Sequence, residues 1–82
     1  MAISFGTINN ENFITNNIDE IGLVTYIGKE NKDGIWIIQK IDETSGTLFS
    51  FASSLNNATY TYYDVAWSCK TVLTYGAYNE AI

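Results

Sequence analysis

Three stretches in the middle of the chain have hydrophobic patterns that are typical of β-strands. Residues 22–29 (GLVTYIGK) carry apolar side chains on both sides of an extended chain, and residues 47–54 (TLFSFASS) alternate most regularly. Short polar segments that end in glycine, at 30–34 and 43–46, separate these stretches from the one between them. The pattern predicts three successive antiparallel strands joined by tight turns.

The middle stretch, IWIIQKID, is apolar on both faces of the predicted strand. Trp36 and Ile38 share one face, while the other face carries isoleucines: Ile35, Ile37 and Ile41. We expect the isoleucine face to line the domain's own core. Because Trp36 and Ile38 then need a second cover, we expect that cover to come from an N-terminal arm or from another subunit.

The two ends of the chain are less regular. Residues 1–20 hold isolated apolar side chains among asparagines, which predicts an irregular or extended arm with room for one short strand; a disordered tail is the alternative. Asp64 is placed to cap a short helical turn near residues 64–70, and residues 71–78 return to strand character. The predicted fold is therefore all-β, a small antiparallel sandwich or barrel-like meander over residues 21–82.

Composition limits how such a domain is stabilised. A chain of 82 residues buries only about 60% of the surface that its unfolded form exposes. Cys69 is the single cysteine and there is no histidine, so neither an internal disulfide nor a standard zinc site is expected. Small scaffolds without these supports commonly rely on partners, which favours self-association.

The residues needed for most chemistry are missing. Without histidine there is no Ser–His–Asp or Cys–His arrangement, and no glycine spacing fits a phosphate-binding loop. The acidic pairs Asp19–Glu20 and Asp42–Glu43 point to opposite faces on a strand, so they cannot share a substrate. We therefore expect no enzymatic activity, no metal and no cofactor.

Charge and hydropathy also exclude some partners. The net charge is -5 and arginine is absent, so the cationic surface that nucleic acids require is missing. No apolar run reaches membrane-spanning length. The opening MAISFGTINN has neither a basic start nor a continuous apolar core, so we expect synthesis in the cytoplasm without a signal peptide.

The last third of the chain is rich in aromatic residues. Such residues either fill a core and subunit contacts or form a platform for a glycan or a peptide. Together with the apolar residues of the arm and of the middle strand, they give a predicted interface: Phe5, Ile8, Phe13, Trp36, Ile38, Tyr62, Trp67 and Tyr75.

One set of short motifs resembles a known group of proteins. WIIQKI, then YDVAW, then LTYG reproduce the order W-x-I-x-K-I, A-W and L-T-Y found in short, uncharacterised bacteriophage virion-associated proteins. The resemblance covers residues 22–80, and Lys70 stands where those proteins often carry arginine. It implies a multi-copy tail, neck or capsid-decoration subunit, made in the host bacterial cytoplasm, whose partners are itself and other virion proteins. The alternative is a small module that binds a glycan or a peptide on the host surface.

Overall fold

A four-stranded antiparallel sheet forms the body of the protein. In the computed structural model, which describes residues 13–81, β1 spans Ile14–Ile21, β2 Val24–Glu30, β3 Trp36–Asp42 and β4 Leu48–Ser53. The strands lie side by side in the order in which they occur along the chain. The predicted all-β antiparallel meander is confirmed, and its sheet is single and open.

Local turn chemistry sets the register of the hairpins. Gly22 and Leu23 form a two-residue turn between β1 and β2, and Gly22 has φ 62° at the first central position, where a type II′ turn requires it. In the next turn the side-chain oxygen of Asn31 accepts hydrogen bonds from the backbone N–H groups of Asp33 and Ile35, both at 2.9 Å. This Asx-type arrangement adds to the backbone hydrogen bonds of the turn, in which Asn31 N–H donates to the carbonyl of Ile35 at 2.9 Å and Gly34 N–H donates to that of Asn31 at 3.0 Å.

β1 shows that part of the predicted N-terminal arm belongs to the sheet. The strand is an edge strand, and its register with β2 shifts between Thr15 and Asn17. Because an irregularity of this kind breaks the alternation of side chains, and because an edge strand is largely solvated, the sequence shows no clear period here. Phe5 and Ile8, which were predicted to anchor the arm, lie outside the described residues.

The C-terminal third packs across one face of the sheet. Helix α1 spans Tyr63–Ser68, which confirms the predicted helical turn, and helix α2 spans Tyr78–Ala81. Residues 71–78, predicted as a strand, form only an isolated bridge in which Phe51 and Gly76 exchange backbone hydrogen bonds of 2.8 and 2.9 Å. The chain passes the β4 edge at this bridge, so α2 lies on the opposite face from α1.

The core lies between the sheet and this C-terminal segment. We call the covered side of the sheet the inner face. Trp36 and Ile38 have no exposed surface, and the indole N–H of Trp36 donates to the carbonyl of Tyr60 at 3.0 Å. Further buried core residues come from the sheet and from the C-terminal segment: Tyr26, Ala52, Tyr63, Ala66 and Leu73.

This arrangement corrects the predicted role of the middle strand. The face of Trp36 and Ile38 is the core face, and its cover is the chain's own C-terminal segment. Ile35, assigned by sequence to the core face, is instead 50% exposed. Both faces of the strand are apolar, so strand periodicity alone could not tell which one the rest of the chain would cover.

A glycine lets α1 approach the sheet closely. A Cβ atom at Gly28 would lie 2.8 Å from Cε3 of Trp67, and it would also collide with the hydroxyl group of Tyr63. That hydroxyl group reaches over Gly28 and donates to Oδ1 of Asn17 at 2.7 Å. Because Gly28 has no side chain, α1 can pack directly on β2, and Tyr63 of α1 can reach the edge strand β1.

Candidate interaction surface

The side of the sheet opposite α1, which we call the outer face, carries exposed apolar side chains. Ile18 is 64% exposed and Phe49 is 55% exposed, while Ile27 and Ile41 are partly exposed. These side chains point away from the inner face because side chains alternate along each strand. The four residues define an apolar patch in a domain whose core is already formed.

The strand register makes this apolar patch continuous. Ile18 is paired with Ile27 across β1 and β2, and Ile41 is paired with Phe49 across β3 and β4. Ile27 is paired with Gln39, so Ile41 lies diagonally across from it, within the reach of long side chains. The four residues therefore form one surface rather than scattered contacts.

The outer face carries little charge. Among the strand residues that point outwards, the charged ones are Glu20 and Lys29. Glu20 is paired with Thr25, two residues before Ile27, and Lys29 lies two residues after Ile27. One acid and one base therefore flank the central apolar row, on opposite sides of it.

Helix α2 covers one end of the outer face. The rings of Phe51 and Tyr78 meet edge to face, with centroids 5.1 Å apart. The hydroxyl group of Ser53 donates to the carbonyl of Ala81, and Ile37 beside it is only 8% exposed. The outer face is therefore stepped: a ridge at the Ser53 end rises beside the open apolar patch.

Four of the six predicted interface residues that the structure describes serve the inner face: Trp36, Ile38, Trp67 and Tyr75. Trp67 stacks on Tyr63 at 6.0 Å between centroids, and the ammonium group of Lys70 lies 4.5 Å from the centroid of Trp67. Lys70 also forms an ion pair of 3.1 Å with Asp19 on the edge strand. The Trp67 ring therefore contacts both the Tyr63 ring and the ammonium group of Lys70, and a cation–π contact of this kind helps to fix an aromatic side chain.

Tyr75 is enclosed in the same way. Its hydroxyl group donates to the carbonyl of Lys70 at 2.7 Å, and the ammonium group of Lys40 lies 5.1 Å from its ring centroid. Burial, followed by the nearby Tyr26, raises the pKa of Tyr75, and burial is also the main cause that raises the pKa of Tyr26. Both hydroxyl groups therefore stay neutral at physiological pH.

The predicted interface residues do not form a single surface. Trp36 and Ile38 present no area to a partner, Phe13 is half-buried, and Tyr62 is 70% exposed beside α1. The residues that sequence reasoning missed are those of the apolar patch: Ile18, Ile27, Ile41 and Phe49. Strand alternation places these residues on one face, but on the sequence alone the isoleucine face was assigned to the core instead of to solvent.

The acidic residues of the described part of the chain are dispersed or engaged in turns. Within residues 13–81, no group of three or more His, Cys, Asp or Glu side chains is placed to hold a metal ion. A hollow of about 270 Å³ lies at the β3–β4 turn beside Asp42. The pKa of Asp42 is lowered because the side chain and backbone of Thr44 donate hydrogen bonds to its carboxylate, so this acid has a turn-forming partner.

None of the described helices has the length and apolar character needed to cross a membrane.

Comparison with known proteins leaves the surface to be interpreted on its own geometry. No protein-family model, curated protein or solved structure matches the chain.

Proposed function

We propose that the protein is a non-enzymatic structural subunit of a bacteriophage virion, present in many copies as a tail, neck or capsid-decoration component. The observation that carries the proposal is the continuous apolar patch on the outer face of a sheet whose inner face already has its cover. Patches of this kind commonly mark a surface that contacts another protein. The W-x-I-x-K-I, A-W and L-T-Y motifs, which resemble those of bacteriophage virion-associated proteins, are the reason for proposing a virion.

The size of the patch fits contacts that are repeated many times. Full burial of an isoleucine or phenylalanine side chain contributes about 1.5–3 kcal/mol, so four partly exposed residues supply roughly 3–6 kcal/mol per copy. Association itself costs about 4–15 kcal/mol in lost freedom of motion. One such contact is therefore weak, and neighbouring contacts in an assembly make it effective by keeping the copies close together.

The edges of the sheet differ in a way that also suits assembly. At the β4 edge, Gly76 pairs with Phe51, and the Asn56 side chain accepts a hydrogen bond from the backbone N–H of Ser53 at 2.9 Å. Among the described residues no strand pairs with the outer edge of β1. An open strand edge offers backbone donors and acceptors to a partner strand.

A glycan- or peptide-binding role has less support. Such sites use exposed aromatic rings, whereas Trp67 and Tyr75 are half-buried and engaged by Lys70 and Lys40. Among the described residues, Tyr62 is the most exposed aromatic residue, at 70%. A saturable glycan response that is lost in Tyr62→Ala, with a chain that never associates, would favour this alternative over the structural role.

The structural role is tested by comparing equally exposed apolar residues. Ile18→Lys and Phe49→Lys alter the apolar patch, while Leu55→Lys and Val72→Lys alter residues that are 66% and 70% exposed elsewhere. We expect sedimentation velocity at roughly 1 to 200 µM, the range that reveals weak complexes, to show association of the unaltered chain. Ile18→Lys and Phe49→Lys should abolish this association, and Leu55→Lys and Val72→Lys should not. Circular dichroism checks that all four variants fold.

Co-expression with the products of the neighbouring genes provides the second measurement. Electron cryo-microscopy of the resulting particles should show repeated copies of the chain. A chain that neither self-associates nor enters such particles would contradict the proposed function.

A further inference from the structure

We infer that the outer face packs against the outer face of a second copy, around a two-fold axis that lies between the two sheets and runs along the row of Ile18 and Ile27. This inference rests on the proposed assembly role and specifies its first contact. The chain contributes one open sheet, and the second copy would supply the other sheet of a sandwich formed between subunits. Sheets that pack in this way lie about 10 Å apart.

The positions of the charges favour a second copy as the occupant. Glu20 and Lys29 lie on opposite sides of the Ile18–Ile27 row, each displaced by two residues along its strand from that row. A two-fold axis along the row exchanges its two sides, so Glu20 of one copy comes beside Lys29 of the other. The contact occurs twice in the dimer, and no like charges on these strand faces are brought together.

The overall charge makes this self-complementarity informative. The chain carries nine acids and four bases, a net charge of -5. Two copies that met through an average surface would repel each other. The outward-facing residues of the four strands instead carry one acid and one base, so this strand surface is neutral within an acidic protein, and two copies can approach there.

The step on the outer face fits the same symmetry. The ridge that α2 forms over Ser53 stands at one end of the face, and the exposed ring of Phe49 lies toward the other end of β4. The two-fold axis places the ridge of each copy over the Phe49 end of its partner. A helix is itself about 10–12 Å across, so α2 keeps the two sheets further apart on the β4 side. The closest contact between the copies is therefore made at β1 and β2, where Ile18, Ile27, Glu20 and Lys29 lie.

The area sets the expected strength of the dimer. Four strands at about 4.8 Å spacing, each about seven residues long at about 3.3 Å per residue, give a footprint of at most about 400 Å², which includes the end that α2 covers. Stable complexes bury about 800 Å² per partner. We therefore expect dissociation constants of roughly 10–100 µM for the isolated dimer, a range in which sedimentation equilibrium measures association directly.

Charge reversal tests the geometry. We expect Glu20→Lys and Lys29→Glu, each alone, to raise the dimer dissociation constant at least about tenfold in low salt, because two attractive contacts become repulsive. The double variant restores opposite charges across the axis and should return to within about threefold of the unaltered chain. At 0.5 M sodium chloride we expect these differences to shrink.

Matched controls make the same charge changes away from the outer face. Glu43→Lys and Lys32→Glu lie in exposed turns, and we expect each to leave the dissociation constant within about threefold, apart from the general effect of net charge. Thermal unfolding confirms that each variant folds. Loss of dimerisation in both single reversals, with recovery in the double variant, supports the inference.

Several outcomes would overturn the inference while leaving the assembly role standing. One is a dimer that no reversal weakens, or one that Ile18→Lys abolishes while the double charge variant fails to recover. Another is a dimer lost only in Phe5→Ser combined with Ile8→Ser, since the N-terminal segment would then be the occupant. A chain that is monomeric at the highest concentration yet enters particles with other virion proteins also overturns the two-fold contact alone. Failure of both measurements would remove the proposed function as well.

Discussion

Replacing Gly28 by alanine tests how the C-terminal segment is attached to the sheet. The added Cβ would meet Cε3 and Cζ3 of Trp67 at 2.8 and 2.9 Å, and these ring atoms cannot move without displacing α1. It would also collide with the Tyr63 hydroxyl group that donates to Asn17. Overpacking of this kind costs about 1–3 kcal/mol. We expect Gly28→Ala to lower the free energy of unfolding by that amount.

The sign of the effect is what makes this prediction decisive. Gly28 does not have the positive φ that favours glycine, so alanine in a strand would ordinarily stabilise it by about 0.5–1 kcal/mol. Only the close approach of α1 turns that gain into a loss. Urea denaturation measures the free energy, and thermal unfolding should shift downwards by about 5–20 °C in a domain of this size. A Gly28→Ala variant more stable than the unaltered chain would refute the packing of α1 on β2.

A double-mutant cycle separates the collision from general backbone effects. Trp67→Leu removes the ring that alanine would strike, so Gly28→Ala should cost about 1 kcal/mol less in the Trp67→Leu background. Gly34→Ala serves as the control, because Gly34 has φ 82° and no atom within 4 Å of a built Cβ. Its cost comes from backbone conformation alone and should be additive with Trp67→Leu to within about 0.5 kcal/mol.

Three further predictions concern the inner face. Trp36→Ala should cost about 3–5 kcal/mol and unfold most of the protein, as measured by urea denaturation, because Trp36 is fully buried; full stability with only lost assembly would contradict its place in the core. Asn57→Ala should cost about 1–3 kcal/mol and speed hydrogen exchange at the Thr74 amide, because the buried Asn57 side chain bonds both the N–H and the carbonyl of Thr74, at 2.7 and 3.0 Å; unchanged exchange would show that this link does not hold the segment. Burial raises the pKa of Tyr63 to about 12 from 10.0, so the unfolded state loses this proton at a lower pH than the folded state. The contribution of Tyr63 to the free energy of unfolding is therefore complete below pH 10 and declines between pH 10 and about 12. Urea midpoints across this range should fall less in Tyr63→Phe than in the unaltered chain, and equal falls would assign the decline to other groups.

The strands and turns were predictable because their signals are local. Alternating apolar residues and the glycine-containing turns located β2, β3 and β4 to within two residues at each end. The helical turn was also predictable, but the role of Asp64 was wrong: Asp64 lies inside the first turn, and the N-cap is Tyr62, which makes no side-chain capping hydrogen bond. These features depend on side chains close together in the sequence, where periodicity and turn chemistry act directly.

The assignment of faces was not predictable in the same way. Trp36 and Ile35 are neighbours on opposite faces of an equally apolar segment, and the choice between them depends on contacts with residues more than twenty positions away, such as Tyr60. A signal does exist in the small residues of the inner face, Gly28 and Ala52, which leave room for a covering helix. Without knowing that residues 60–75 fold back, however, such residues are equally compatible with a solvated strand.

Because the core lies on the Trp36 face and not on the isoleucine face, folding and the proposed assembly use different faces of the sheet. If Trp36 had needed a partner, folding and assembly would have been one event, and every variant of that face would have affected both. Because the C-terminal segment covers the inner face and passes the β4 edge at Gly76, folding does not depend on the partner in the proposed assembly. Substitutions such as Gly28→Ala should therefore change stability first, whereas charge reversal at Glu20 or Lys29 should change association with little effect on unfolding. This separation suits the proposed multi-copy role, in which the chain stays folded while free and associates only where the local concentration is high.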